Sequence, residues 1–278
     1  MAILGISIQS NTGIPLILDS WSEKLAAFRE GEGTPILICG FLSALSSFAK
    51  SYRQKISYIR LNPVDFNDPY GIDGVYSFIG EYMVLCFTDP FQFHKMVDLK
   101  IQWIYSKVLT KYEQMIKTGR VPTLTEEEHL FIEKVLMDSV AADIISRKKE
   151  QLRVAVDYIK EKEFPGDIYG CAITSFDNSI LFNHVMERIE IEAYLNSIGS
   201  KGSSLQDSEI LHNYVTFPGL EPRLVVMTNP GVKIPIADII EEPGEGAVPL
   251  YYYLITDANC SIGPIVESLV QKFNAVLL

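Results

Sequence analysis

The chain repeats itself. Residues 3–18 read ILGISIQSNTGIPLIL, two apolar runs around the polar turn Asn11-Thr12-Gly13, and residues 168–183 read IYGCAITSFDNSILFN. Aligned, Gly5 falls on Gly170, Ile8 on Ile173, Ser10 on Ser175 and Leu16 on Leu181, at an offset of 165 residues (170 minus 5). A second echo lies farther on, where Cys86-Phe87-Thr88-Asp89 before a helix matches Leu254-Ile255-Thr256-Asp257 before another, at an offset of 168 (257 minus 89). Two echoes at nearly one offset predict two copies of one small α+β unit. A chain of 278 residues is long enough for two such domains, each with its own core.

In the first copy, residues 3–9 alternate in the strand sense, the Asn-Thr-Gly turn follows, and 14–18 return as a second strand, so a hairpin opens the fold. A charged connection, 21–33, leads to Thr34 as N-cap and Pro35 at the first helical position. The helix they open runs to Tyr52, with Leu37, Phe41, Ala44, Leu45, Phe48 and Tyr52 at helical spacing. Its first two turns are apolar nearly all round, so one side covers a sheet while another calls for the second half of the chain or a partner protein. Strands are expected at 56–61, 75–79 and 82–87, the last two joined tightly at Gly80-Glu81. A long helix over 91–117 follows from the stripe Val97, Ile101, Ile104, Val108, Tyr112 and Met115, with Gly119 and Pro122 ending it.

Thr125-Glu126-Glu127-Glu128 is a capping box for a helix striped by Ile132, Leu136, Val140 and Ile144. Beyond the charged patch 147–150, a third helical segment carries Leu152, Val156 and Ile159 and stops at Pro165-Gly166. The second copy then reads strand, turn, strand to His184, a helix over about 186–198, strands at 210–217, 223–228 and 249–256, and a closing helix over 263–276. Residues 199–208 have linker composition and are expected to be mobile. Residues 229–247, rich in Pro, Gly and acid, insert a long loop where the first copy has a two-residue turn. Each half reads β-β-α-β-β-β-α, which predicts an α+β protein of two units, each a five-stranded antiparallel sheet with packed helices. The expected boundaries are 1–118, a helical connection 119–166, and 167–278.

Composition narrows the partners. A formal net charge of −11 and a pI of about 4.9 argue against nucleic acid or anionic lipid as the main partner, and suit a basic protein better. Cys39, Cys86, Cys171 and Cys260 lie far apart in apolar runs without CxxC spacing, so reduced, buried thiols in a cytosolic protein are expected. The first ten residues lack the basic region of a signal peptide, and the longest apolar stretch, 36–49, is shorter than the ~20 residues that span a bilayer. A cytoplasmic protein without an integral membrane segment is the expectation, peripheral to membranes only through its partners.

Motifs for chemistry are missing. The sequence has no GxxxxGK[ST] loop, and Gly31-Glu32-Gly33 and Gly244-Glu245-Gly246 carry acids that repel phosphate. His94, His129, His184 and His212 form no HxxxH or HExxH pair. Asp65, Asn67, Asp68 and Asp73 resemble a calcium loop until Pro69 and Tyr70 fill the ligand and glycine positions, so a turn-rich loop is the reading. No catalytic, metal or cofactor residue is assigned. Asp238, Glu241, Glu242 and Glu245 make the densest acidic patch, a solvated face or a docking loop for a basic partner.

Taken with this element order, ISIQSNTGIPLI, ILICGFLSALSSFAKSY and SFIGEYMVLCFTDP in the first half and GCAITSFDNSILF and YYYLITDANC in the second resemble a tandem protein of the longin and roadblock superfamily, with its profilin-like α+β fold. The resemblance implies a non-enzymatic scaffold that pairs with another longin or roadblock protein, or with itself as a homodimer, through sheet edges or helices. It also implies a place holding or regulating small GTPases in vesicle-trafficking complexes, with no cofactor. On this reading the contact residues are Ile38, Leu42 and Leu45 on the over-apolar helix, Leu16 and Leu18 on the second strand, and Asp238, Glu241 and Glu242 on the inserted loop. The stretches 199–208 and 229–247 depart from the pattern and put the partner surface of the second copy in doubt. A small-ligand-sensing profilin-like module and an enzyme with a site that no motif marks are the other two readings.

Overall fold

The computed structural model describes residues 3–28, 34–62, 71–217, 219–236 and 247–278. The chain divides into two units, Met1–Met137 and Asp138–Leu278.

In the first unit β1 (Ile3–Ser10) and β2 (Pro15–Ser20) form the opening hairpin, followed by α1 (Thr34–Ser51), β3 (Tyr58–Leu61), β4 (Ile72–Ile79) and β5 (Tyr82–Thr88). The strands pair antiparallel in the order β2-β1-β5-β4-β3. Every residue of β1 and of β5 is buried, as expected of central strands with helices on both faces. Side-chain alternation divides the faces. On β4, Tyr76 joins Leu42 of α1 in one cluster, whereas Asp73 bonds His94 of α2 (His94–Ile104) on the other side.

The single helix expected over 91–117 is interrupted. It starts at His94, because Pro90 and the turn closed by Gln92 N–H to Asp89 O occupy the preceding residues. A wide π-type turn, Tyr105–Leu109, and a tight 3₁₀ turn, Thr110–Tyr112, then separate α2 from α3 (Glu113–Lys117). Leu109 O, at the end of the wide turn, accepts from Tyr82 Oη at 2.8 Å, so the irregularity ties helix to sheet. α4 (Glu126–Leu136) opens with the capping box: Glu128 N–H donates to Thr125 Oγ1 and Thr125 N–H to Glu128 Oε2. Lys100, fully buried on α2, donates to Leu136 O at the C-terminal end of α4, where a cation also meets the negative end of the helix dipole.

The expected connection 119–166 is divided. α4 belongs to the first unit; α5 (Ser139–Tyr158) belongs to the second, and Asp138 between them takes a left-handed backbone at φ 50°. α5 is one helix through the charged patch, because 147–151 point to solvent or its margin while Ala141, Ile145, Leu152 and Val156 face the core. Val140 and Ile144, read as that face from spacing, are only half-buried.

The second unit continues with β6 (Ile168–Thr174), β7 (Ile180–His184), α6 (Arg188–Ile198), β8 (Ile210–Val215) and β9 (Arg223–Thr228). After these come β10 (Lys233–Pro235), β11 (Ala247–Pro249), β12 (Tyr251–Asp257) and α7 (Ile262–Leu277). Its main sheet runs β7-β6-β12-β9-β8, the order of the first sheet strand for strand. α5 and α7 share one core with it, built on Ile145, Val156, Val226, Leu254, Leu269 and Phe273. The inserted loop is a hairpin at its base, β10 paired with β11. Residues 199–208 are also tied down: they include a 3₁₀ turn, and Asn229 at the end of β9 donates to Leu205 O and accepts from Ser208 N–H.

The sequence echo holds at atomic level. Ser10 N–H donates to Ile14 O at 2.8 Å and Ser10 O accepts from Gly13; Ser175 N–H donates to Ser179 O at 2.9 Å and Ser175 O accepts from Asn178. Gly13 and Asn178 both sit at positive φ, 88° and 77°, in the left-handed region that Gly and Asn tolerate best. Thr88 Oγ1 reaches Asp73 O on the neighbouring strand and Thr256 Oγ1 reaches Leu224 O, each at 3.5 Å.

Candidate interaction surface

α1 carries two rows of side chains. Cys39, Leu42 and Ser46 are buried; Leu42, 3% exposed, packs with Leu4, Leu25, Tyr76, Met83, Leu85 and Phe87. Gln9 Nε2 donates to Cys39 O, and Ser7 Oγ lies 3.8 Å from Cys39 Sγ, so β1 grips the same inward row. Leu37, Phe41, Phe48 and Tyr52 stand outward at 73, 63, 62 and 66% exposure, with Ala44 exposed between them. The row most visible in the sequence is therefore the outer one. Leaving a large apolar side chain in water forgoes roughly 1.5–3 kcal/mol of burial, and four of them stand exposed on one face of this helix.

Among the expected contact residues, Leu42 is corrected: it faces the sheet and no partner reaches it. Leu45 is half-buried at the margin of the outer row. Leu16 and Leu18 of β2 are half-buried, and Leu18 lies opposite Ser7, which puts it on the α1 side of the sheet. The side chain of Ile38 and all of Asp238, Glu241 and Glu242 lie outside the described residues, as do Gly31-Glu32-Gly33, Gly244-Glu245-Gly246 and most of the calcium-like loop. β2 and β3 are the outermost strands of the first sheet and β7 and β8 of the second, and no described strand pairs with their outer edges.

Charge is unevenly distributed. The first unit holds 13 of the 24 Lys and Arg and 15 of the 35 Asp and Glu, leaving 11 and 20 for the second, a net −2 against −9. No acid occurs from residue 33 to 64, a stretch that carries Lys50, Arg53, Lys55 and Arg60. Whole-chain composition hides this, and a running charge count along the sequence would have found it. Arg53 holds a left-handed backbone, φ 57°, at the end of α1, where Gln54 N–H returns to Ala49 O and Arg53 N–H to Lys50 O. That is the Schellman arrangement, whose left-handed position usually takes Gly.

A separate polar cluster lies between β3, β4 and α2. The buried carboxylate of Asp73 accepts from Arg60 Nε at 2.6 Å and Nη2 at 2.7 Å, and lies 3.0 Å from His94 Nε2. Burial pushes the Asp73 carboxyl up, but the hydrogen bonds and charges of Arg60 and His94 outweigh it and hold the group below its ordinary range. Burial raises the thiol of Cys39 and, much further, that of Cys171, which keeps both protonated. The described residues contain no group of His, Cys, Asp and Glu arranged to hold a metal ion, and no described helix is long and apolar enough to cross a membrane.

Two open clefts occupy corresponding places. One of about 370 Å³ lies between the start of β3, β4 and α2, lined by Lys55, Ser77, His94, Lys95 and Asp98. The other, about 480 Å³, lies between β8, β9 and α7, lined by Ile210, Thr228, Asn229, Val266 and Glu267. No protein-family model matches the chain, and comparison with curated proteins finds no relative.

Proposed function

We propose that the protein is a non-enzymatic interaction scaffold of longin and roadblock type, whose units pair with another protein of that fold or hold a small GTPase through their outer strands. One observation carries this reading: a single strand order occurs twice in one chain, and each sheet ends on strands whose outer edges no described strand pairs. An unpaired edge is a ready site for another chain to add a strand. The test is capture of small GTPases by the full chain in each nucleotide state, with light scattering for self-association. The expected result is capture by the wild type that Leu18→Lys, a charge placed on β2, abolishes. Retention of no GTPase in either state, with a monomer at every concentration, overturns the reading.

The paired clefts favour a second reading, a ligand-sensing module, because their volumes fall within the roughly 300–1,000 Å³ of small-molecule sites. Native mass spectrometry of freshly purified protein discriminates: a bound small molecule supports this reading, and a bare chain removes it.

A further inference from the structure

We propose that the outward face of α1, together with the cations at its C-terminal end, is a peripheral binding surface for anionic phospholipid bilayers. The inference goes beyond the scaffold reading and uses a surface other than the strand edges. Leu37, Phe41, Phe48 and Tyr52 form a row of 15 residue steps (52 minus 37), about 22 Å of helix. Arg53 and Lys55 are exposed at the end of that row, whereas Lys50 follows Ser46 on the inward side of α1 and holds its Nζ 5.5 Å from the centre of the Phe78 ring. An amphipathic helix of this kind lies in the plane of a membrane interface, apolar side chains in the acyl boundary and Lys or Arg among the headgroups.

Charge selects the lipid. The net charge of −11 is an average: the second unit supplies −9 of it, and the 32 residues from 33 to 64 contain no acid at all. Within a Debye length of α1 this stretch itself therefore offers an anionic surface only cations, while Asp98 of α2 lines the same cleft as Lys55. Arg60 contributes least, because its guanidinium is committed to Asp73. Arg53 adds to the case, since it holds a left-handed position at which Gly relieves strain, and a cation there sits at the rim of the apolar row.

Shape separates a bilayer from a protein partner. A partner helix docks into a groove with walls, whereas the described side chains of the outward row project as a ridge from one helix. Leu37, Phe41, Phe48 and Tyr52 line neither of the two clefts described above. A fluid interface moulds itself around a ridge; a folded partner does so only with a matching hollow.

The experiment is co-sedimentation of the full chain with vesicles of phosphatidylcholine alone and of phosphatidylcholine with phosphatidylserine, at low and high salt. The wild type is expected to pellet with the anionic vesicles and to be released by salt. Phe41→Ser with Phe48→Ser weakens binding roughly a hundredfold or more, and Arg53→Gln and Lys55→Gln weaken it about fivefold each. These side chains are exposed, so the variants keep the circular dichroism and melting of the wild type. Phe48→Trp supplies a second readout, a blue shift of fluorescence on anionic vesicles. Wild type left in the supernatant overturns the proposal, as does a serine pair that pellets unchanged. If vesicles are ignored while the serine pair turns a wild-type dimer into a monomer, the face is a contact between two copies, and the proposal also fails. GTPase capture is read with the β2 variant, so either idea can fall without the other.

Discussion

Replacing Asp73 by Asn tests whether the polar cluster beside α2 is an ion pair that stabilises the first unit. The carboxylate is fully buried and accepts two bonds from Arg60 at 2.6 and 2.7 Å, with His94 at 3.0 Å. Breaking a buried pair costs roughly 3–5 kcal/mol, and a hydrogen bond to a charged group contributes about 1.5–3. Two features lower the figure: the side chain of Arg60 is half-exposed, so water takes back part of its charge, and Asn keeps the shape and one acceptor. Asp73→Asn is therefore expected to cost about 2 kcal/mol, a fall in melting temperature of roughly 4–8 °C. Both tryptophans, Trp21 and Trp103, belong to the first unit, so tryptophan fluorescence in urea follows that unit alone. The sign of the pH dependence follows from the lowered carboxyl. The folded state holds the proton less tightly than the unfolded state, whose value is near 3.8, so the stabilisation is complete above that value and is lost as pH falls through the folded one. The gap between wild type and variant should close below about pH 4. Arg60→Gln combined with Asp73→Asn should cost less than the two singles summed, by more than about 0.5 kcal/mol. A gap unchanged in acid, or strict additivity, refutes the argument.

Three further outcomes separate inside from outside and rigid from yielding neighbours. Leu42→Ala should destabilise the first unit by about 3 kcal/mol, whereas Phe41→Ala, one residue away, should stay within about 0.5; equal effects in urea titration would show that the two rows on α1 are misassigned. A methyl group at Gly5 would lie 2.7 Å from the backbone Asp19 O and 2.9 Å from Leu25 Cδ1, whereas at Gly170 it meets the flexible Met186 Cγ at 2.5 Å. Gly5→Ala should cost about 2 kcal/mol and Gly170→Ala less than half of that, read by hydrogen exchange of β1 and β6; a reversed order would count against it. Arg53→Gly should stabilise α1 by up to about 1 kcal/mol in the same urea titration, because it relieves the left-handed position, while weakening vesicle binding about fivefold.

Much of the architecture was legible because it is local. Alternation at 3–9, the Asn-Thr-Gly turn, the capping box at Thr125 and the echo of Ser10 in Ser175 are each properties of a few neighbouring residues, and each is found where the residues predict it. The breaks were less legible. The wide turn at Tyr105–Leu109 depends on Tyr82 reaching across from a strand, and the start of α5 depends on Asp138 accepting a left-handed backbone, so neither alters the apolar period.

By itself the sequence pointed to two antiparallel five-stranded sheets with packed helices and to an α1 that is apolar on more sides than one sheet can use. Hydrophobic period and turn chemistry act over a few residues and need no partner to be read. Only the tertiary structure decided which row of α1 meets the sheet, because Cys39 and Leu42 are chosen over Phe41 and Phe48 by what Ser7, Gln9 and Tyr76 leave room for on strands far away in the chain. It also decided where α4 and α5 part company and that Asp73, Arg60 and His94 converge, since strand pairing and packing bring together residues that no local pattern relates.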